Sequence, residues 1–176
     1  MTKDPRLSIR HCPQCGSADL VRRTPRRDDR ERICCSACDY VHYVGPILAA
    51  GAVLHRRGEI CLVRRAWDPG RGLWSFPGGF VDLGEETSAA ALREVAEETG
   101  YRAELEALIG VYRSVGPRGI HVVLVAYSAA PTRETDRVCE EVQEVRWFPA
   151  AELPWRELAF PSTDRALRDF LNARGG

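Results

Sequence analysis

The chain has 176 residues, about the length of one domain with room for a small appendage. Its 25 Lys and Arg residues balance its 25 Asp and Glu residues, which argues against a strongly basic nucleic-acid binder and against an acidic disordered chain. Hydrophobic residues make up 44% of the sequence, enough to bury a core.

The N-terminal sequence lacks the features of a signal peptide, and the apolar runs stop short of the roughly 18 residues that span a bilayer. We therefore expect a cytoplasmic protein with no membrane partner. In that reducing compartment, paired cysteines are expected to bind a metal rather than to form disulfides.

The N-terminal segment carries two CxxC pairs, Cys12–Cys15 and Cys35–Cys38, with nineteen residues between them. Two such turns can deliver four thiolates to one tetrahedral Zn²⁺ ion. Four cysteine ligands close the coordination shell, so the zinc is expected to be structural. Cys34 is an alternative ligand to Cys35, which we prefer because it completes the second pair. A thioredoxin-like redox pair and free structural thiols are the weaker alternatives.

The composition changes near Gly45 and Pro46, where a cysteine-rich, mildly basic segment gives way to an ordinary core-forming sequence. We expect a zinc ribbon over residues 1–45 and a second domain over residues 46–176. Six arginines lie between the two cysteine pairs, a pattern that nucleic-acid-binding ribbons share. Three acidic residues interrupt the run, so a solvated loop is the favoured interpretation.

Strand patterns alternate with two helical patterns in the second domain, which predicts an α/β or α+β class. Gly58 supplies a turn between the first two strands, and Gly100 ends the first helix. Ser162 or Thr163 is expected to cap the last helix. The predicted strands cover residues 47–56, 59–65, 74–76, 105–115, 120–129 and 142–148, and the predicted helices cover residues 86–99 and 162–175.

The first predicted helix concentrates acidic residues, because Glu94, Glu97 and Glu98 are spaced to share one face. Three crowded carboxylates repel one another unless a cation holds them, and hard oxygen ligands favour Mg²⁺ or Mn²⁺. Arg93 lies one turn before Glu97 and can brace the cluster. Gly79 allows close backbone approach and can offer a carbonyl oxygen to the same cation. Taken without the glycines, the helix would indicate only a solvated acidic face.

These spacings resemble the Nudix box, in which glycine, five residues, glutamate and seven residues precede an arginine–glutamate helix. Tyr101 stands where the box has an aliphatic residue, which affects packing and no metal ligand. The matching positions are Gly79, Glu85, Arg93, Glu94, Val95, Glu97, Glu98 and Gly100. With the cysteine pairs and the GLWSFPGG segment, the chain resembles the zinc-ribbon Nudix hydrolases, especially those acting on ADP-ribose and flavin adenine dinucleotide (FAD). This resemblance implies an α/β fold, a Nudix α-β-α sandwich with a mixed sheet, preceded by a small zinc ribbon.

The resemblance also implies a function, the hydrolysis of a nucleoside diphosphate linked to another moiety, with ADP-ribose or FAD favoured and AMP and a phosphate ester as products. It places Mg²⁺ or Mn²⁺ on Glu94, Glu97, Glu98 and the Gly79 carbonyl, with Glu98 on the ion nearest the attacking water. Residues 110–119 lack the signature of the NADH pyrophosphatases, so NADH is not the expected substrate.

The remaining site residues are expected outside the box. Glu141 or Glu144 can supply the catalytic base, although a solvated loop acid is an equal alternative for both. Arg64 or Arg65 can meet a phosphate, and because adjacent strand residues point to opposite faces, only one of them should do so. Four aromatic residues are candidate platforms for stacking a base, although a core position is the more common role. These four are Trp74, Phe76, Phe80 and Tyr112. From these sets, the predicted substrate contacts are Arg64, Trp74 and Phe80.

Other functions stay open from sequence alone. The chain could be an NADH pyrophosphatase, or an RNA nucleotide-cap hydrolase in which the basic ribbon guides the strand. A non-enzymatic alternative is a nucleic-acid-binding regulator that uses the Nudix fold as a ligand sensor. The intact box carboxylates argue against a sensor, because a sensor does not need them. Dimers are common in the resembling family, and a homodimer is left open.

Overall fold

The computed structural model describes residues 4–134 and 139–174. Its contacts divide the chain into two units, Met1–Pro46 with Pro117–Ile120, and Ile47–Gly116 with His121–Gly176. Within the described residues, no helix has both the length and the apolar character needed to cross a membrane.

The first unit contains a three-stranded antiparallel sheet, ordered β1-β2-β3. Its strands are β1 (Leu20–Arg23), β2 (Arg32–Cys35) and β3 (Val41–His42). No Leu, Ile or Val side chain is buried among residues 4–44. The buried residues of that stretch are Asp4, Cys12, Pro25, Cys34 and Cys35. An aliphatic core therefore does not hold this unit together.

The second unit is built on a mixed sheet with two helices. Its strands are β4 (Ile47–Arg56), β5 (Glu59–Arg65), β6 (Trp74–Ser75), β7 (Gly78–Phe80), β8 (Tyr101–Val115), β9 (His121–Glu134) and β10 (Val142–Pro149), and its helices are α1 (Thr87–Thr99) and α2 (Pro161–Arg174). The main path of the sheet runs β10-β5-β4-β9-β8. The β4–β9 pair is parallel and its neighbours are antiparallel.

The side chains of β4 alternate between the two faces of this sheet. Val53 belongs to the apolar cluster that contains Leu167 of α2, whereas Leu54 belongs to the cluster that contains Val95 of α1. Each face of the sheet is thus covered by one helix, as a sheet that is apolar on both faces requires. The expected α/β fold, an α-β-α sandwich with a mixed sheet, is confirmed.

Strands β4 and β5 separate beyond their hairpin, and two short strands fill the gap. β6 pairs with β5, and β7 pairs with β4 at Ala49–Gly51. The backbones cross closely there, because a Cβ atom on Gly51 would stand 2.6 Å from the Pro77 carbonyl oxygen. Only glycine fits such an approach. The crossing fixes the backbone that leads into β7 and α1.

Several element boundaries differ from the sequence-based expectation. Helix α1 ends at Gly100 as expected, with φ 72, and β8 starts immediately afterwards at Tyr101. Helix α2 begins at Pro161, so the predicted cap at Ser162 or Thr163 is wrong. Proline is favoured in the first turn of a helix because it has no N–H to leave unpaired. The Thr163 hydroxyl instead lies 3.2 Å from the Ser75 hydroxyl in the interior.

Candidate active site

Helix α1 presents its three glutamates at graded depths. Glu98 is 5% exposed, whereas the Glu97 side chain is 54% exposed and the Glu94 side chain is 14% exposed. Ala91 and Val95 are fully buried against the sheet. The acidic stripe therefore runs from solvent down to the edge of the core, as helical spacing predicts.

Arg93 ties the acidic stripe to the segment that precedes the helix. Its Nε and Nη2 donate to the two carboxylate oxygens of Glu85, at 2.9 and 3.0 Å. Its Nη1 donates to Glu94 at 2.7 Å and to Glu97 at 3.3 Å, and Nη2 also donates to the Phe80 carbonyl at 3.0 Å. A planar guanidinium can make these contacts together, whereas a lysine ammonium cannot. Arg93 thus sets the positions of two of the three glutamates.

Glu85 is a site residue to which sequence reasoning gave no role. Its hydrogen bonds from Arg93 lower the pKa of its carboxyl to about 2, helped by the Asp82 backbone. The Asp82 N–H donates to Glu85 Oε2 at 3.0 Å. Glu85 therefore anchors Arg93, and its fixed spacing before the helix is the signal that could have revealed this.

Glu98 is a buried carboxylate without full compensation. Burial raises the pKa of Glu98 to about 8, against the opposing effect of the Gly78 N–H, which donates to Oε2 at 2.9 Å. The charges of Glu94 and Glu141 raise this pKa further, and that of Arg65 lowers it. A positive ligand beside Glu98 would offset this cost.

The backbone of β7 lies directly against this cluster. A Cβ atom on Gly79 would overlap the Glu94 carboxylate, so any side chain there would displace the carboxylate from its position on Arg93. Backbone and carboxylate oxygens are the ligands that hard divalent cations prefer, and the uncompensated Glu98 adds a charge that such a cation would neutralise. The residues present therefore fit a divalent cation.

Arg64 and Arg65, the two candidate phosphate contacts, have different neighbours in the structure. Arg64 lies 3.9 Å from Glu144 and donates to the Gly72 carbonyl at 2.9 Å. Arg65 donates to the Pro69 carbonyl at 2.9 Å, and its charge lowers the pKa of Glu98. The phosphate contact of Arg64 therefore stays a prediction. Arg65 is four residues from Cys61 on β5, so both side chains point to the same face of the sheet. Cys61 belongs to the same apolar cluster as Val95 of α1. The alternation was visible in the sequence, but the helix on each face was not.

The two candidate catalytic bases, Glu141 and Glu144, have different surroundings. Glu141 is exposed, and its charge raises the pKa of both Glu94 and Glu98. Its segment is held in place because the Ala66 N–H donates to the Glu141 carbonyl oxygen at 2.8 Å. Glu144 pairs with Arg64 and Arg146 instead. Of the two acids, Glu141 is the one placed beside the cluster.

The predicted aromatic platforms differ in accessibility. Trp74 is 3% exposed and makes an edge contact with Phe148, with ring centroids 5.0 Å apart. The expectation that Trp74 contacts substrate is therefore corrected, because neither face of its ring is open for stacking. Phe76 and Tyr112 are buried as well. Phe80 is 60% exposed, and its carbonyl binds Arg93.

Four cysteines of the first unit form a second candidate metal centre. The Sγ atoms of Cys12, Cys15, Cys35 and Cys38 all lie within 4.8 Å of one another. The Cys12–Cys38 and Cys15–Cys35 sulfurs are 3.6 and 3.7 Å apart. A tetrahedron of sulfurs about 2.3 Å from a central zinc has edges of about 3.8 Å, so the cluster fits structural zinc.

The other three cysteines lie outside this cluster. The Cys34 sulfur lies 4.0 Å from the Arg23 carbonyl oxygen. Cys61 is buried in the sheet, where burial raises the pKa of its thiol to about 12. The Cys139 N–H donates to the Glu97 carbonyl at 2.8 Å, at the end of α1.

Comparison with protein-family models identifies the family of this chain. The family model for the NUDIX domain matches residues 45–170, and that for the Nudix N-terminal segment, a zinc ribbon, matches residues 10–44. The chain belongs to the Nudix hydrolase family. As a Nudix hydrolase, it is an enzyme of a family that acts on small nucleotide diphosphate substrates and generally uses a divalent metal.

Individual Nudix relatives are similar over most of the chain. "ADP-ribose pyrophosphatase" of Methanocaldococcus jannaschii is 30% identical over 139 residues, which are 78% of this chain and 80% of that protein. "MutT-like protein" of Streptomyces ambofaciens is 34% identical over 110 residues, 62% of this chain and 68% of that protein. The crystal structure of a NUDIX hydrolase from Nitrosomonas europaea aligns with a TM-score of 0.82 at 30% identity, covering 95% of this chain and 93% of that chain.

Proposed function

We propose that this Nudix hydrolase cleaves the pyrophosphate of a nucleoside diphosphate linked to a second moiety, and releases AMP and a phosphate ester. ADP-ribose and FAD are the favoured substrates. The observation that carries the proposal is the carboxylate cluster that Arg93 holds against the β7 backbone. The M. jannaschii relative, whose name is ADP-ribose pyrophosphatase, supports the choice of an ADP-linked substrate.

The proposed ligands of Mg²⁺ or Mn²⁺ are Glu94, Glu97, Glu98 and the Gly79 carbonyl oxygen. When bound, such ions neutralise pyrophosphate charge and lower the pKa of a bound water. The fit rests on the hard oxygen donors, on the close approach of Gly79 to Glu94, and on the raised pKa of buried Glu98.

The role proposed for Arg93 is to hold the site in place before substrate arrives. It binds Glu94 and Glu97 and is itself held by both oxygens of Glu85. Groups that are already oriented do not have to be reorganised during the reaction. Arg93 and Glu85 therefore act as positioning residues.

We assign the proton and phosphate contacts to two residues beside the cluster. A water oxygen attacks one phosphorus, the anhydride P–O bond breaks, and the leaving phosphate keeps the electron pair. Glu141, exposed and electrostatically coupled to Glu98, accepts the proton of the water. Arg65 binds a phosphate oxygen in place of the predicted Arg64. Phosphoryl transfer needs mainly this positioning and charge neutralisation.

Phe80 is the proposed platform for the nucleoside base. Its ring is exposed, and its backbone is fixed by the hydrogen bond from Arg93. A π-face next to the reacting centre stacks a base without sequence-specific hydrogen bonds.

For the chain as a whole, we propose a structural zinc ribbon over residues 1–45 and the hydrolase domain over residues 46–176. The zinc ligands are Cys12, Cys15, Cys35 and Cys38. The cytoplasm is the proposed compartment, because reduced thiols are available there to bind metal.

A substrate panel tests this function. The full chain is incubated with ADP-ribose, FAD, NADH or capped RNA, with Mg²⁺, with Mn²⁺ or with neither, and the products are separated by chromatography. We expect the highest kcat/KM with ADP-ribose or FAD, AMP as a product, and no turnover without added Mg²⁺ or Mn²⁺. A preference for NADH or capped RNA would overturn the substrate assignment. Salt-sensitive nucleic-acid binding without hydrolysis of any substrate would favour a regulator.

A further inference from the structure

A cavity of about 990 Å³ lies at the end of the hydrolase domain where the β4–β5 turn, the end of β9 and the C-terminus of α2 meet. Its volume is in the range of small-molecule and nucleotide sites. Its charged lining has more positive than negative groups. The charged lining residues are Arg56, Arg57, Arg133, Arg174, Glu59 and Glu134.

This cavity is separate from the acidic cluster on α1. Arg56 lies five residues along β4 from Gly51, the last residue of β4 that pairs with β7. At about 3.3 Å per residue, that distance is roughly 17 Å. None of Glu94, Glu97 and Glu98 lines the cavity. A ligand bound there does not occupy the proposed reaction site.

Two of the arginines are held by neighbouring side chains. The Arg56 guanidinium lies 4.0 Å from the centre of the Trp147 ring, and its Nε is 3.8 Å from Glu59. Arg174 donates to His55 at 2.6 Å and lies 3.8 Å from Glu106. These two arginines line the cavity with their charges already partly paired.

Arg57 occupies a costly position in the turn. Its φ is 46 and that of Gly58 is 82, the pattern of a two-residue hairpin turn that favours Asn-Gly. An arginine in this left-handed conformation costs about 1 kcal/mol relative to glycine. Among the described residues, no acidic group pairs with Arg57. Its guanidinium is therefore available to an anion.

Arg133 is in a similar electrostatic situation. It lies directly opposite Arg102 in the β8–β9 pair, and like charges in opposite positions repel. Within residues 4–134 and 139–174, it has no acidic partner either. A bound anion would relieve this repulsion and satisfy both Arg57 and Arg133.

We propose that this cavity is a second binding site, for a phosphate-bearing anion of nucleotide size, and that Arg57 and Arg133 contact the phosphates. Guanidinium groups bind phosphate oxygens in a forked geometry. The site needs no divalent cation, so it stands or falls independently of the proposed hydrolysis.

The test is calorimetric titration of the zinc-loaded full chain with ADP in buffer without Mg²⁺ or Mn²⁺. Arg57→Asn removes the guanidinium and places a favoured residue in the turn, and Arg133→Gln removes the second one. Arg156→Gln is the matched control, because Arg156 is exposed and outside the cavity. We expect saturable binding by the wild type, weakened about tenfold by each cavity variant and unchanged in the control.

Inorganic pyrophosphate is the competing probe and should displace ADP from the wild type. Tm values equal to or above that of the wild type would show that lost binding reflects the removed guanidinium, since neither substitution then destabilises the fold. The proposal is overturned if ADP does not bind saturably, if the cavity variants bind like the wild type, or if pyrophosphate does not compete.

Discussion

The cysteine cluster and the acidic cluster are built in opposite ways. The four sulfurs converge within 4.8 Å and come from two short turns. The three glutamates come from one helix, yet Arg93 holds two of them and Glu98 lies deeper against Gly78. In the part of the chain that the structure describes, only the cysteines form a group of three or more potential ligands with donor atoms this close. A structural site closes on its metal, whereas a reaction site leaves room for substrate.

The two regions also differ in what stabilises them. The ribbon buries cysteines rather than aliphatic side chains, so we expect metal binding and folding to be coupled there. The hydrolase domain has apolar clusters on both faces of its sheet. That core can support a buried, partly uncompensated Glu98, whose pKa is raised to about 8. A buried carboxyl group with a raised pKa is typical of functional sites.

The largest expected effect is in the ribbon. Cys15→Ser removes one of the four ligands, and because no aliphatic core replaces the metal, we expect loss of stoichiometric zinc and unfolding of residues 4–44. Elemental analysis gives the zinc content, and amide NMR spectra give the fold of each unit.

Cys34→Ser is the matched control for this experiment. Cys34 is buried beside Cys35, but its sulfur lies outside the cluster, so zinc should be retained. Full zinc occupancy in Cys15→Ser, or zinc loss in Cys34→Ser alone, would contradict the assigned ligand set.

The next largest effect is expected on replacing Arg93, which holds the acidic cluster in place. Arg93→Lys keeps the charge but cannot reproduce the five hydrogen bonds of the guanidinium. We expect kcat to fall about a hundredfold and the free energy of unfolding to fall by about 2 kcal/mol. Arg168→Lys, at an exposed forked pair with Asp164, should change neither quantity much. If Arg93→Lys and Arg168→Lys had the same kcat and the same free energy of unfolding, Arg93 would not be the residue that positions the acidic cluster.

The smallest effect compares two neighbours on β5. Arg65→Gln should raise the KM for ADP-ribose about tenfold, because it removes one charged contact to phosphate. Arg64→Gln should leave KM within about twofold, since Arg64 pairs with Glu144. Steady-state kinetics separate the two, and a larger effect at Arg64 would reverse the assignment.

Local spacing explains what could be predicted from sequence. The CxxC pairs identify the four cysteines that the structure brings together, because each pair is a single turn. The fixed spacing from Gly79 to Gly100 likewise places Arg93 and its glutamates on one helix face. In both cases the relevant contacts lie within short segments, so sequence order and spatial order agree.

Long-range packing explains which features could not be predicted from the sequence. The choice between Arg64 and Arg65 depends on which helix covers which face of the sheet. The burial of Trp74 depends on Phe148, far along the chain. The arginine cavity joins the β4–β5 turn, the end of β9 and the C-terminus of α2, and no single motif contains it.

The most direct test of the proposed chemistry is AMP release from ADP-ribose by Glu98→Gln at saturating Mg²⁺. Glutamine keeps an oxygen for the Gly78 N–H but removes the charge, so zinc content and Tm should match the wild type. We expect kcat to fall about a thousandfold, the loss of roughly 4 kcal/mol of transition-state stabilisation. Wild-type kcat in this variant would contradict the assignment of the α1 carboxylates as the catalytic centre.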